Sequence, residues 1–406
     1  MPSFSPPDEV RADSLPPDAR RRFLRLRGRR LDRPGWTAAR LLSFALAAVV
    51  HAVTAAILAG AVLVVAGWHG SVIGWLLGGV LAAIAIVTRP RAVRLPDGAE
   101  EVTRAEAPAL FDVAGRIAGA VGAEPPAAIY LHDRLFRCAH LRTRVGGGPG
   151  GGVSGGVSSR VRRRPVLLVG LPLLLTLTPR ERAGMLGAEL ARDVSGDPGR
   201  GLLVPAALVT TGKWRHALMD MRVDRFPDFG DPLLAHHGGP GGRMASQAIG
   251  KVAGWVLVWP LLLAELALRR LVSAQAQHAV HYADQVAARA VSSRAVVEYL
   301  DALTMAESRL TPVMAAARRG ETAEEIRRAV LSGDAGRELI TARREDSLAG
   351  QGAWQAEPPA ALRAVLLESA GVGDGPVSLG PGESDRIDAE LSRHLARAVR
   401  ELSHGT

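Results

Sequence analysis

Apolar residues are distributed very unevenly along this chain of 406 residues. Leu41 to Ala66 runs for 26 residues without a charge, and Ser71 to Thr88 for another 18. As helices, both are long enough to cross the roughly 30 Å of hydrocarbon in a bilayer. About forty polar, arginine-rich residues come first, whereas a secretory signal places a shorter apolar core near the start. The pattern therefore predicts a retained transmembrane helical hairpin over 41–88. Its join, Gly67-Trp68-His69-Gly70, carries no formal charge, while Arg20, Arg21, Arg22, Arg25, Arg27, Arg29, Arg30 and Arg33 precede the pair and Arg89, Arg91 and Arg94 follow it. The positive-inside rule places both ends in the cytoplasm, with Trp36 and Trp68 as interfacial anchors. The expected layout is a basic cytoplasmic segment (1–40), the hairpin (41–88) and a cytoplasmic domain (89–406) of a multi-pass cell-membrane protein.

Beyond the hairpin the period shortens to that of amphipathic helices. Leu110, Val113, Ile117 and Val121 fall three and four apart and predict a helix from Ala107 to Gly122, stopped by Pro125-Pro126. Two short strands are predicted at Ala127 to His132 and Pro165 to Gly170. The glycine run between them (146–160) lacks the Lys-Ser/Thr ending of a phosphate loop and reads as an insertion between paired strands. Thr178, Pro179 and Glu181 spell a capping box with proline at the first helical position, so a helix is predicted from there to Val194, ending at Ser195-Gly196. A second helix is predicted over Ser273 to Val291, then shorter ones, including one capped by Thr322 and Glu325. Ile387, Leu391, Leu395 and Leu402 stripe a C-terminal helix expected to pack on the domain's own core. Two further apolar stretches, 201–212 and 252–268, are expected to be membrane-associated or buried; Pro260 and Glu265 make the second a poor spanning segment. Fold class is therefore mainly α with a small β-element.

Composition narrows the chemistry. The chain is 48% hydrophobic with a mean hydropathy of +0.11, too apolar for a disordered protein. Its net charge of +10 is the difference between 50 cationic and 40 acidic residues, and of the cations only Lys213 and Lys251 are lysines. Because the arginine run abuts a membrane span and has no interleaved aromatic residues, it points to topology and lipid contact and not to nucleic acid. Cys138 is the single cysteine, which excludes an intrachain disulfide and a cysteine-based zinc site. A Cys138–His140 dyad is conceivable by spacing, but nothing in the sequence orients the imidazole.

The order of these segments carries a resemblance. Two N-terminal apolar helices, then RAEAPALFDVAGRIAGAVGAEPPAAIYLHD, LLVGLPLLLTLTPRERAGMLGAELARDVSGDPGRG, HAVHYADQVAARAV and AEPPAALRAVLLES, resemble the HtpX-type family of membrane-embedded zinc metallopeptidases. The likeness spans about Arg40 to Leu402 and implies a zincin-like metallopeptidase domain. It also implies a His-Glu-x-x-His helix whose histidines bind zinc while the glutamate activates water, with a glutamate ligand on a second helix. On this chain the first histidine position is Ala188, the glutamate Glu189, the second histidine Arg192 and the third ligand Val280. A His-Pro-Pro stretch of the family reads Glu357-Pro358-Pro359.

Alanine and valine offer no lone pair and arginine stays cationic, so the resemblance predicts a pseudopeptidase without a zinc cofactor. Glu189 is expected to pair with Arg192 at i,i+3 or with an arginine across the cleft; if buried, such a pair would replace zinc as the cross-link between the two helices, with Asp284 as a further partner. The alternative is a rebuilt metal site on His278, His281, Asp284, Glu189 and Asp193 in an active membrane metalloendopeptidase. The expected partners are the lipid bilayer and a polypeptide or membrane-protein client in a regulatory role; a purely structural membrane scaffold is a third reading.

Overall fold

A computed structural model of the chain describes residues 17–88, 95–143, 164–201, 203–220, 240–332, 336–349, 357–371 and 373–404. In chain order the elements are α1 (Pro17–Leu26), α2 (Ala38–Gly67), α3 (Val72–Thr88), β1 (Glu100–Val102), α4 (Pro108–Val121), β2 (Ala128–His132), β3 (Cys138–Thr143), β4 (Arg164–Gly170), α5 (Leu171–Thr176), α6 (Pro179–Val194), α7 (Leu203–Asp220) and α8 (Pro240–Ala290). Then follow α9 (Ser293–Thr304), α10 (Ala306–Arg318), α11 (Ala323–Ser332), α12 (Arg337–Ala349), α13 (Ala360–Ser369), α14 (Pro381–Glu390) and α15 (Ser392–His404). The chain is mainly helical, as its periodicity predicts. Contacts divide it into two units: Met1–Gly35 with Val93–Asp197 and Ala276–Thr406, and Trp36–Ala92 with Pro198–Gln275. The 198–275 stretch thus groups with the apolar N-terminal helices and not with the domain expected from 89 to 406.

The first unit is built on a four-stranded sheet of order β1-β2-β4-β3. β2 and β4 pair in parallel, Ala128 opposite Val166 and His132 opposite Gly170, while β1 and β3 are antiparallel to their neighbours. β4 is buried from Pro165 onward on both faces, which explains its uninterrupted apolar reading. Only β2 and β4 of the four strands are predicted from sequence. β3, which lies between them in sequence, is hidden by its mixed residues: Cys138, Ala139 and His140 are buried while Arg142 is exposed, so no clean apolar alternation marks it. The predicted glycine insertion at 146–160 lies outside the described residues.

α4 lays Leu110, Val113, Ile117 and Val121 into the core and ends at Gly122, whose φ of +76° is the left-handed cap glycine adopts without strain. Gly122, and not Pro125, is its stop. α6 has the predicted bounds. Thr178 Oγ1 accepts from Glu181 N at 3.2 Å and Glu181 Oε2 accepts from Thr178 N at 2.7 Å, closing the capping box. Its middle turns carry small residues on the side of α9: a Cβ on Gly184 would lie 2.1 Å from the Ala295 carbonyl oxygen. α6 is also anchored by Arg182, which is 1% exposed. Its guanidinium donates to Leu174 O and Ser384 Oγ at 2.9 Å each and lies 2.8 Å from Asp388. The C-terminal stripe forms two helices broken at Leu391, and Ile387, Leu391, Leu395 and Leu402 all enter the core as expected.

In the second unit α2 is long and apolar enough to span a membrane by length and composition, and α3, of 17 residues, packs along it. Its buried positions are small or short, Ser43, Ala47, Val50, Thr54 and Ala61, while Leu41, Leu42, Val49, Leu58, Val62 and Leu63 are exposed. Ala47 and Val50 meet Val204 and Ala207 of α7 and Leu268 of α8. The separate helix expected from Ser273 is instead the last part of α8, a continuous helix that also contains the 252–268 stretch. Glu265, 4% exposed in that stretch, is held by Arg269 at 2.6 Å and Arg215 at 3.2 Å.

Candidate functional site

α6 places its midpoint in the sheet-and-helix core of the first unit, with β3 alongside. Ala188 is fully buried, Val280 on α8 is 6% exposed, and neither offers a donor atom. Glu189 is 4% exposed, and Arg192 Nε lies 3.6 Å from its Oε1. This is the i,i+3 pair the sequence predicts. The expected direct link from α6 to α8 is corrected by the structure. Arg192 turns its outer nitrogen to Glu357, the residue before Pro358-Pro359. Glu357 accepts from Arg363 Nη1 at 3.2 Å, and Arg363 grips Asp284 with two bonds, Nη2 to Oδ1 at 2.7 Å and Nε to Oδ2 at 2.9 Å.

The result is an alternating ladder, Glu189–Arg192–Glu357–Arg363–Asp284, that joins α6 to α8 through α13. Arg363 and Asp284 are each 2% exposed. Paired, two-pronged geometry is what makes charges tolerable at that depth. Burial works against the Arg192 and Arg363 charges, but Glu189 and Glu357 outweigh it at the first and Asp284 at the second, so both guanidiniums are held protonated. Glu357 is likewise opposed by burial, yet Arg192 and Arg363 bring its carboxyl down to about 2. Arg363 is the member sequence reading missed, and Glu357 is read there only as the residue standing in place of a family histidine. The available signal was a lone cation inside the apolar run Ala360 to Leu367, where a charge requires a partner.

The other predicted ligands go elsewhere. Asp193 accepts from Arg142 Nε at 2.9 Å and Nη2 at 2.7 Å, and His140 Nδ1 lies 4.0 Å from it. His281 is 6% exposed; burial, which outweighs the nearby Asp284 carboxylate, brings its pKa down to about 4. His278 is half-buried, also lowered by burial, and sits in the field of Asp32. Among the described residues no three His, Cys, Asp or Glu side chains converge on one point. A zinc centre of the kind the resemblance implies does not fit these residues: its ligand positions hold two hydrocarbons and a cation. Cys138 and His140 share the inward face of β3, but burial, followed by Glu189, pushes the thiol well above its usual range, which opposes a thiolate nucleophile.

His281 gives the site a definite acid response. In the unfolded chain it takes a proton as pH falls through 6.5, whereas in the fold it resists until about 4. Its contribution to stability is therefore complete above 6.5 and lost as pH drops to 4, on the order of 3 kcal/mol. Glu357 acts in the same direction only lower, between 4.5 and about 2. Thermal midpoints measured from pH 7 to 4.5 are expected to fall, and His281→Gln to flatten that slope; an unchanged slope would place the titrating group elsewhere.

No protein-family model, curated protein or solved structure matches this chain.

Proposed function

We propose that the protein is a membrane-inserted, HtpX-like pseudopeptidase in which an arginine–carboxylate ladder takes the place of the catalytic metal, and that it binds polypeptide or membrane-protein clients in a regulatory role. The observation that carries this reading is Arg192: a cation stands at a ligand position and is paired on both sides, with Glu189 and with Glu357. Glu189, without a polarised water to deprotonate, serves as a structural counter-ion. Client binding is supported by β3. It is the last strand of its sheet, and among the described residues no strand pairs with its outer edge, so an extended segment has backbone donors and acceptors to meet there.

Insertion into the bilayer is supported by the inverted pattern of α2, small residues inward and large aliphatic ones outward, which suits lipid and is costly in water. With the arginine excess flanking the pair 41–88, the reading is a cell-membrane protein that crosses by α2 and α3 and keeps its main domain in the cytoplasm.

Detergent-purified protein is expected to hold less than about 0.1 equivalent of zinc per chain, where a catalytic site would hold about one. A photo-crosslinking residue at Leu141 of β3 is expected to capture unfolded casein without cleaving it, and Glu189→Gln to leave that capture unchanged. Stoichiometric metal, with casein hydrolysis abolished by Glu189→Gln, would overturn the proposal in favour of an active metalloendopeptidase with a rebuilt site.

A further inference from the structure

Between α1 and α2 the chain forms no helix or strand, yet its backbone is fixed to the first unit. Leu31 N donates to Gln285 Oε1 at 2.8 Å, Gln285 Nε2 donates back to Arg29 O at 2.8 Å, and Gly28 N donates to Ser369 Oγ at 3.2 Å. Phe23 of α1, 3% exposed, plugs into Leu348, Ala361, Leu362 and Leu366. Leu26 and Leu31 close a small cavity over His281, Asp284 and Arg363. The segment is thus the outer cover of the most deeply buried rung of the ladder. Phe23, Leu26 and Leu31 face inward, while Arg25, Arg29, Arg30 and Arg33 are exposed, with Asp32 the one acid among them.

We propose that this docked segment is a contact for anionic phospholipid headgroups, and that occupying it stabilises the seating of the segment on α8 and α13. The inference rests on the membrane reading of α2. Three observations favour lipid. Arg33 stands five residues before Ala38, the first residue of α2, so at no more than about 3.5 Å per residue it cannot leave the neighbourhood of that helix end. Trp36, 70% exposed with the Arg40 guanidinium 4.6 Å above its ring, places an interfacial side chain on the same stretch. All the exposed cations are arginines, whose planar fork matches phosphate oxygens two at a time. From Arg25 to Arg33 no aromatic side chain alternates with them to stack bases.

Each arginine near an anionic surface contributes roughly fivefold to association. Because Gln285 binds the same backbone that carries Arg29 and Arg30, lipid contact and docking are linked, and whatever favours one favours the other.

The test uses the full chain in nanodiscs of phosphatidylcholine, alone or with about 30% phosphatidylglycerol. Amide exchange at Leu31 and its neighbours is expected to slow at least about tenfold in the anionic discs and to return toward the zwitterionic rate in about 0.5 M salt. The variant R25Q/R29Q/R30Q/R33Q is expected to keep the zwitterionic rate and lose the lipid response. Equal exchange in the two discs, with α2 retained after alkaline carbonate extraction, overturns the lipid contact alone. Release by carbonate overturns the membrane reading and the contact with it. Equal slowing by an RNA oligonucleotide in zwitterionic discs overturns the choice of lipid.

Discussion

Arg363→Met is expected to lower stability by about 3–5 kcal/mol, the largest loss from any single member of the ladder. The reason is what remains behind. Asp284 is 2% exposed and takes both of its strong bonds from this guanidinium, so truncation leaves a carboxylate sealed from water with nothing opposite it. Arg192 stands farther off and is already committed to Glu189 and Glu357. Cys138 supplies a local readout: it is the only cysteine in the chain and is buried in the same unit, so a thiol-reactive dye labels it only when that unit opens. The labelling midpoint on heating is expected to fall by about 6–20 °C. Removing both charges, as Asp284→Leu with Arg363→Met, is expected to recover most of the loss, because well-packed hydrocarbon replaces a buried pair at little net cost. A single-variant loss under about 1 kcal/mol would mean that water reaches Asp284.

That rung also marks how far the sequence could be read. α6 was legible to the residue because capping is local: Thr178, Pro179 and Glu181 lie within four positions and their geometry follows from spacing. The Glu189–Arg192 pair was legible for the same reason, being one helical turn apart. Asp284 and Arg363 are 79 positions apart, and nothing in either neighbourhood names the other. Sequence shows that a cation in an apolar helix needs a partner but not which of several acids it meets. β3 escaped because it mixes buried Cys138, Ala139 and His140 with an exposed Arg142 whose partners, Asp193 on α6 and Glu124 after α4, are distant in sequence. The length of α8 escaped because a change from apolar to polar residues at about Arg269 looks like a boundary, whereas helix propensity is unbroken across it. The parallel pairing of β2 with β4 depends on the intervening β3, and so could not be read from the two apolar runs alone.

Placing the ligands implied by the resemblance at the three positions together, as Ala188→His, Arg192→His and Val280→Glu, is expected to create a zinc site where the present residues exclude one. The substitutions supply two imidazoles one helical turn apart on α6 and a carboxylate on α8, the donor set of an open tetrahedral centre. They also remove the Arg192 charge that repels a dication. Glu357 keeps Arg363 as its partner, so the ladder shortens without collapsing. About one zinc per chain is expected, bound at micromolar strength or tighter, near 8 kcal/mol. Because the metal would bridge two helices, added zinc should raise the Cys138 labelling midpoint, by about 2.7 kcal/mol of stability at a hundredfold excess over the dissociation constant. Without zinc the variant should be less stable than the parent, having lost a cation between two carboxylates, and purification in zinc separates that effect from failure to fold. Each double variant lacks one donor and should bind far more weakly, so affinity that needs all three changes would be the signature of side chains facing a common point. A folded triple variant that stays metal-free would show that positions 188, 192 and 280 do not face one centre, and the metallopeptidase ancestry inferred for this frame would fall with them.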